Sequence, residues 1–181
     1  MGCQHLPGAG QHAALVAGAL IIGCSPNAFA HATLESQQAV VGASYKAVIR
    51  IPHGCGALAT HTVKVRIPDG VIGVKPMPKP GWILETAKGK YDKTYELFHA
   101  KISEGVKEIT WRGGNLPNDW YDEFVFTGTL AEDLKVGETI YFLTVQECDG
   151  AAERWIEIPA AGKSAKDLKF PAPGLKLTPK P

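Results

Sequence analysis

The sequence predicts an all-β fold, an immunoglobulin/fibronectin-like β-sandwich with one disulfide. Short runs of alternating apolar and polar residues follow one another after His31, the period-two signature of half-buried strands. Thirteen prolines and twenty glycines fall mostly between those runs, and helical periodicity is nearly absent. Many short strands with frequent turn signals suit two packed sheets. A closed barrel would satisfy the same alternation, so the pattern narrows the architecture to these two.

In chain order, Ser44–Ile51 sets Tyr45, Ala47, Ile49 and Ile51 on one face and Lys46 and Arg50 on the other. Thr62–Ile67 alternates in the same way and ends in the turn cluster Pro68-Asp69-Gly70. Further strands are expected at 71–75, 82–87, 92–99, 106–112, 122–130, 138–147 and 153–158. Tyr141, Leu143 and Val145 are expected to face inward, and Trp155 and Glu157 to share a face. Turn clusters Pro76-Met77-Pro78-Lys79-Pro80-Gly81 and Gly113-Gly114-Asn115-Leu116-Pro117-Asn118 punctuate the series. From about Gly162 the alternation fades. Phe170-Pro171-Ala172-Pro173-Gly174 and Pro179-Lys180-Pro181 predict an extended, proline-stiffened tail over 161–181.

The chain has 181 residues, 45% of them hydrophobic, and a formal net charge of +1. That balance gives no electrostatic case for nucleic acid or an anionic membrane as partner. Charge is nonetheless distributed unevenly, because residues 1–30 contain no Lys, Arg, Asp or Glu. Within them Ala13–Gly23 is an apolar run of signal-peptide length, too short for a transmembrane helix, which needs about 20 apolar residues. Ala28-Phe29-Ala30 supplies the small-x-small pattern cut by signal peptidase. The expected organisation is a cleaved signal peptide over 1–30, one sandwich domain over 31–160, and the tail. The product would be periplasmic or secreted, with no membrane span. Ile21-Ile22-Gly23-Cys24 offers a competing lipobox, in which Cys24 would be lipidated and become the first residue.

Cleavage after Ala30 leaves two of the four cysteines, Cys55 and Cys148. In an exported domain a lone pair reads as one disulfide, worth about 3–5 kcal/mol for so long a loop. It would draw together the loop carrying His53, the turn at 146–150 and the strand carrying Trp155. Spacing does not say whether His31 reaches that end.

The same cut makes His31 the N-terminal residue. An α-amine and the imidazole of one histidine can chelate a single metal, and a free amine with pKa of about 7.7–8.0 yields its proton readily near neutrality. Nitrogen donors of this kind favour Cu(II). His53, in Ile51-Pro52-His53-Gly54-Cys55, is the second candidate ligand, and Trp155 a candidate neighbour that shields the ion. His61 and His99 fall near apparent solvent faces, and Glu35 is badly spaced to chelate with His31. Nucleophile elbows, phosphate loops and paired catalytic carboxylates are missing.

Several motifs now combine in order: His31-Ala32; Ile49-Arg50-Ile51-Pro52-His53-Gly54-Cys55; Val65-Arg66-Ile67-Pro68-Asp69-Gly70-Val71; Pro80-Gly81-Trp82; Ile109-Thr110-Trp111; Tyr121-Asp122-Glu123-Phe124-Val125-Phe126; and Val145-Gln146 leading to Trp155. As a set, from residue 31 to about 158, they resemble the YcnI-like copper-binding family of bacterial exported proteins. The resemblance implies a β-sandwich holding one Cu(II) by an N-terminal histidine brace, an acidic side chain and a nearby tryptophan. It further implies a role in copper homeostasis or trafficking, with copper donor or acceptor proteins of the cell envelope as partners and no catalysis. His31 and Trp155 match. Where family members place a glutamate after Ile51-Pro52, this chain has His53, which is expected to substitute as a nitrogen donor. Two other readings compete. One is a copper-dependent oxidative enzyme like the lytic polysaccharide monooxygenases, although no aromatic platform for a glycan is evident. The other is a metal-free interaction domain, for which the fold alone would suffice.

Overall fold

The structure, a computed structural model, describes residues 31–181. The apolar run, the cleavage pattern and Cys24 lie outside the described residues. The described chain forms strands β1 (Thr33–Leu34), β2 (Gln38–Val40), β3 (Ser44–Ile51), β4 (Thr60–Arg66), β5 (Val71–Pro76) and β6 (Ile83–Leu97). It continues with β7 (Ala100–Leu116), β8 (Asp122–Leu130), β9 (Thr139–Tyr141), β10 (Thr144–Cys148), β11 (Ala151–Trp155) and β12 (Gly174–Thr178). A single 3-10 turn, Ala165–Asp167, is capped by Ser164.

Two larger sheets pack face to face. One runs β1-β3-β8-β5 and the other β11-β10-β4-β7-β6; a third, small sheet runs β2-β12-β9. Ala47, Ile49, Ile51, Phe124 and Phe126 from the first sheet share one buried cluster with Val63, Val65, Ile109, Trp111 and Trp155 from the second. Antiparallel register sets Ile49 opposite Phe124 and Ala47 opposite Phe126, so the alternating faces of neighbouring strands line up. Burial of those faces is the main stabilising term, at roughly 1.5–3 kcal/mol for each large side chain. This is the sandwich that the alternation predicted, and it excludes the closed barrel.

The pairings also define the two ends. Thr60 pairs with Leu116, Ile51 with Asp122 and Thr33 with Arg50, so the starts of β1, β4 and β8 and the ends of β3 and β7 share one end. The β6–β7 hairpin reaches the other. Its two-residue loop puts Phe98 and His99 at positive φ, 49° and 66°, the turn geometry that suits hairpin twist. His99 thus lies in the turn and not in the strand expected at 92–99.

Two expectations need correction. The run 138–147 is two strands, since the chain leaves the small sheet after Tyr141 and joins the five-stranded sheet at Thr144. The switch reverses the inward face: Phe142, Thr144 and Gln146 are buried, whereas Tyr141, Leu143 and Val145 are partly exposed. The segment 161–181 is also more than a tail. Strand β12 pairs with β2 and β9, and Leu175 and Leu177 enter the core. Phe170 packs edge-on against Trp155 with ring centroids 5.3 Å apart. Prolines make this segment extended, and an extended segment can still supply a strand where its N–H groups find partners.

Candidate metal centre

Strand β1 runs antiparallel to β3, with Thr33 opposite Arg50 and Leu34 opposite Ile49. Continuing that register brings His31 beside Pro52, one residue short of His53. Ala32 is buried and holds the start of the described chain against the core. Trp155, at the end of β11, faces both histidines. Its ring centroid lies 6.0 Å from that of His31 and 6.4 Å from that of His53. The structure therefore brings His31, His53 and Trp155 together at one end of the sandwich.

A buried amide organises this end. Gln146 Nε2 donates to the His53 carbonyl at 2.6 Å and to Thr60 Oγ1 at 2.7 Å, while its Oε1 accepts from Trp155 Nε1 at 3.1 Å. Gln146 is fully buried, so each of these bonds satisfies a group that water cannot reach. The indole N–H is only a donor and is already engaged, which makes Trp155 a wall of the site. Cys55 and Cys148 form the expected disulfide, with Cα atoms 6.1 Å apart. Thr60 Oγ1 lies 3.6 Å from Cys148 Sγ. Strand β10 is thus tied to the His53 loop twice, by the disulfide and by Gln146. His53 Nδ1 donates to the Gly54 carbonyl.

One residue at this end escaped the sequence reading. Glu153 sits two positions before Trp155 on β11 and opposite Gln146 on β10. Its Oε2 lies 4.0 Å from His53 Nδ1, too far for a hydrogen bond. That oxygen is buried and accepts no hydrogen bond. Burial pushes the Glu153 carboxyl above the usual carboxylate range, against the opposing pull of His53 and Lys169. The signal was present: the alternation that sets Glu157 on the face of Trp155 sets Glu153 there too.

Among the described residues, the other two histidines stand apart. His61 shares a hydrogen bond with Thr62 Oγ1 at 2.8 Å, and His99 lies at the hairpin tip, 3.7 Å from Glu96 Oε1. Glu35 accepts from Arg50 at 2.8 Å. Trp120 and Tyr121, 66% and 67% exposed, precede β8, whose Asp122 pairs with Ile51; they belong to the same end as His53. The sequence reading had missed them as exposed aromatics. A surface hollow of about 530 Å³ lies instead along Lys93–His99 and Thr129–Asp133, far from the histidine pair. Among the described residues, no three His, Cys, Asp or Glu side chains stand close enough to hold a metal ion. The Glu153 oxygen without a hydrogen-bond partner, 4.0 Å from His53 Nδ1, is the feature that fits a cation.

A crystal structure of an uncharacterized protein from Nocardia farcinica, described as an immunoglobulin-like fold, is 24% identical to this chain with a TM-score of 0.60. The match covers 82% of this chain and 98% of that one, and it supports the fold assignment. A cohesin module from a Clostridium perfringens family 33 glycoside hydrolase is 13% identical, with a TM-score of 0.40 over 83% of this chain and 97% of that one. A search of curated proteins found no match. Among the described residues no helix is long and apolar enough to cross a membrane. The domain of unknown function DUF1775 matches residues 31–177, which takes in most of β12 and nearly all of the described chain. The chain belongs to that family, the YcnI-like domain family.

Proposed function

We propose that this is an exported protein that holds or transfers Cu(II) at the end of the sandwich where His31, His53 and Trp155 meet. The observation that carries this reading is the approach of both imidazoles to one buried indole, at 6.0 and 6.4 Å. Among the described residues the nearby side chains are too few to bind a metal by themselves. Cleavage after Ala30 would add the α-amine of His31, giving an amine–imidazole chelate with His53 as a further donor. Copper so held would be cargo for copper donor or acceptor proteins of the cell envelope. The Cys55–Cys148 disulfide suits an oxidising compartment, and it anchors the loop that carries His53.

The test is a Cu(II) titration of protein beginning at His31, its N-terminus verified by intact mass. A variant with one extra residue ahead of His31 should lose most of the affinity, because its amine is no longer in the chelate. Equal affinity in the two would sink the reading. A copper-dependent oxidative enzyme is the second reading, and the exposed Trp120 and Tyr121 at this end are the observation in its favour. Copper-loaded protein given reductant and peroxide should release no oligosaccharide from glycan if the carrier reading holds.

A further inference from the structure

We infer that the outer face of the five-stranded sheet, around Leu143, Val145 and Ile158, is a docking surface for a polypeptide that presents acidic residues beside apolar ones. The chain entering β10 has an inverted polarity for a sandwich strand. Thr144 and Gln146 face inward and are fully buried, while Leu143 and Val145 alternate with them, face outward and stay partly exposed. Strands normally bury the apolar set and expose the polar one, and such local rules are broken where a site demands it. Gln146 accounts for the inward half of the inversion, since it bonds to the His53 carbonyl and the Trp155 indole. The outward half serves no contact of that end. Ile156 and Ile158, just beyond β11, add to the apolar area at 41% and 54% exposure.

Shape and charge identify the occupant. Ile140, Tyr141, Leu143 and Ile158 line a hollow of about 320 Å³, bordered by Arg66 and by the Lys107–Asp69 pair. Such a concavity takes side chains that project from a protein partner, whereas a lipid surface is met by apolar groups projecting from the protein itself. Cations flank the apolar residues. Register sets Val145 between Arg154 of β11 and Lys64 of β4, and the Arg66 amide donates to the Leu143 carbonyl at 2.9 Å. Lys64 is paired with Glu147 at 2.7 Å. Glu108 lies across from Arg66 in the β4–β7 register, yet among the described residues no carboxylate forms a salt bridge with the Arg66 or Arg154 guanidinium. Two such guanidiniums beside an apolar hollow fit a partner that brings carboxylates. A second copy of this chain would bring the same arginines to the contact, so the charge favours a different, acidic chain.

The test is an amide NMR titration of metal-free protein beginning at His31. The probes are a short synthetic peptide alternating leucine with glutamate, and its counterpart alternating leucine with lysine. The acidic peptide should shift the amides of Arg66, Leu143, Val145 and Ile158 saturably, and should bind at least about 10-fold more tightly than the basic one. In the double variant Arg66→Glu/Arg154→Glu that preference should reverse. Both arginines are exposed, so Tm should barely move, and a reversed preference is a result that a misfolded variant would not give. Equal binding of the two peptides, or shifts that avoid these residues, would overturn the proposal. Binding to phosphatidylglycerol vesicles that Ile158→Ser abolishes would overturn it in favour of a lipid surface. A dimer in sedimentation that Ile158→Ser dissociates would overturn it in favour of a second copy. None of these outcomes depends on whether the histidine end binds Cu(II).

Discussion

Asp92 and Asp133 flank the β6–β7 hairpin, and Glu153 lies beside Trp155 at the opposite end of the sandwich. All three acids stand near aromatic rings, yet their surroundings differ. Asp133 is paired with Lys93, whose hydrogen bond holds its carboxyl below the usual range. Asp92 accepts the Tyr95 hydroxyl at 2.6 Å, and Lys107 pairs with Asp69 nearby. There the acids are partnered and solvated, around a small cluster built on Ile72, Tyr91 and Tyr95. Glu153 is partly buried, its buried Oε2 accepts no hydrogen bond, and burial pushes its carboxyl up. The hairpin end is arranged for its own stability. The Trp155 end keeps a buried carboxylate oxygen without a hydrogen-bond partner close to the His53 imidazole, an arrangement that costs stability.

The comparison can be strained hardest at the disulfide. Replacing Cys55 and Cys148 by Ser should cost about 3–5 kcal/mol in denaturant unfolding and should abolish Cu(II) binding, because the His53 loop loses its strap. Full Cu(II) affinity in the folded double variant would mean that the loop needs no tether. Next in size, Gln146→Leu should cost about 2–3 kcal/mol, because it orphans the Trp155 N–H and the His53 carbonyl together. Trp fluorescence should shift in that variant, and an unchanged spectrum would show that the amide does not set the indole. At the hairpin end the expected effects are smaller. Asp133→Asn should change stability by no more than about 0.5 kcal/mol, as for other exposed pairs. The contribution of Asp133 is present at neutral pH and fades as pH falls through its lowered folded-state value.

Tyr95 gives the mildest test and the opposite sign. Burial and the hydrogen bond to Asp92 raise its pKa above 10.0. Its contribution is complete below the unfolded pKa and is lost as pH rises through the folded value. Tyr95→Phe should therefore flatten the alkaline decline of Tm, and an unaltered decline would assign that loss to other groups. A Gln146→Leu protein should retain the wild-type alkaline profile, since its lesion lies at the other end.

Alternation was enough to read Ser44–Ile51 and its inward face, because a strand buried on one side repeats every two residues. It failed over 138–147, where the chain changes sheets and the inward set moves from Tyr141, Leu143 and Val145 to Phe142, Thr144 and Gln146. Nothing local marks such a switch, since both halves alternate. Proline content described 161–181 as extended but said nothing about its partner, and β12 is a strand because β2 and β9 are there to receive it.

The candidate site divides along the same line. Residue chemistry and the cysteine count were sufficient to single out His31, His53, Trp155 and the Cys55–Cys148 pair. Each is legible alone: a histidine behind a cleavage pattern, a histidine in a glycine turn, two cysteines in an exported domain. The meeting of His31 with His53 and Trp155 depended on the pairing of β1 with β3. The place of Glu153 depended on β11 lying against β10. Those contacts join residues far apart in the chain, and their identity follows from which strands become neighbours. Short-range pattern carries no record of that choice, because it is made by burying two whole sheet faces at once.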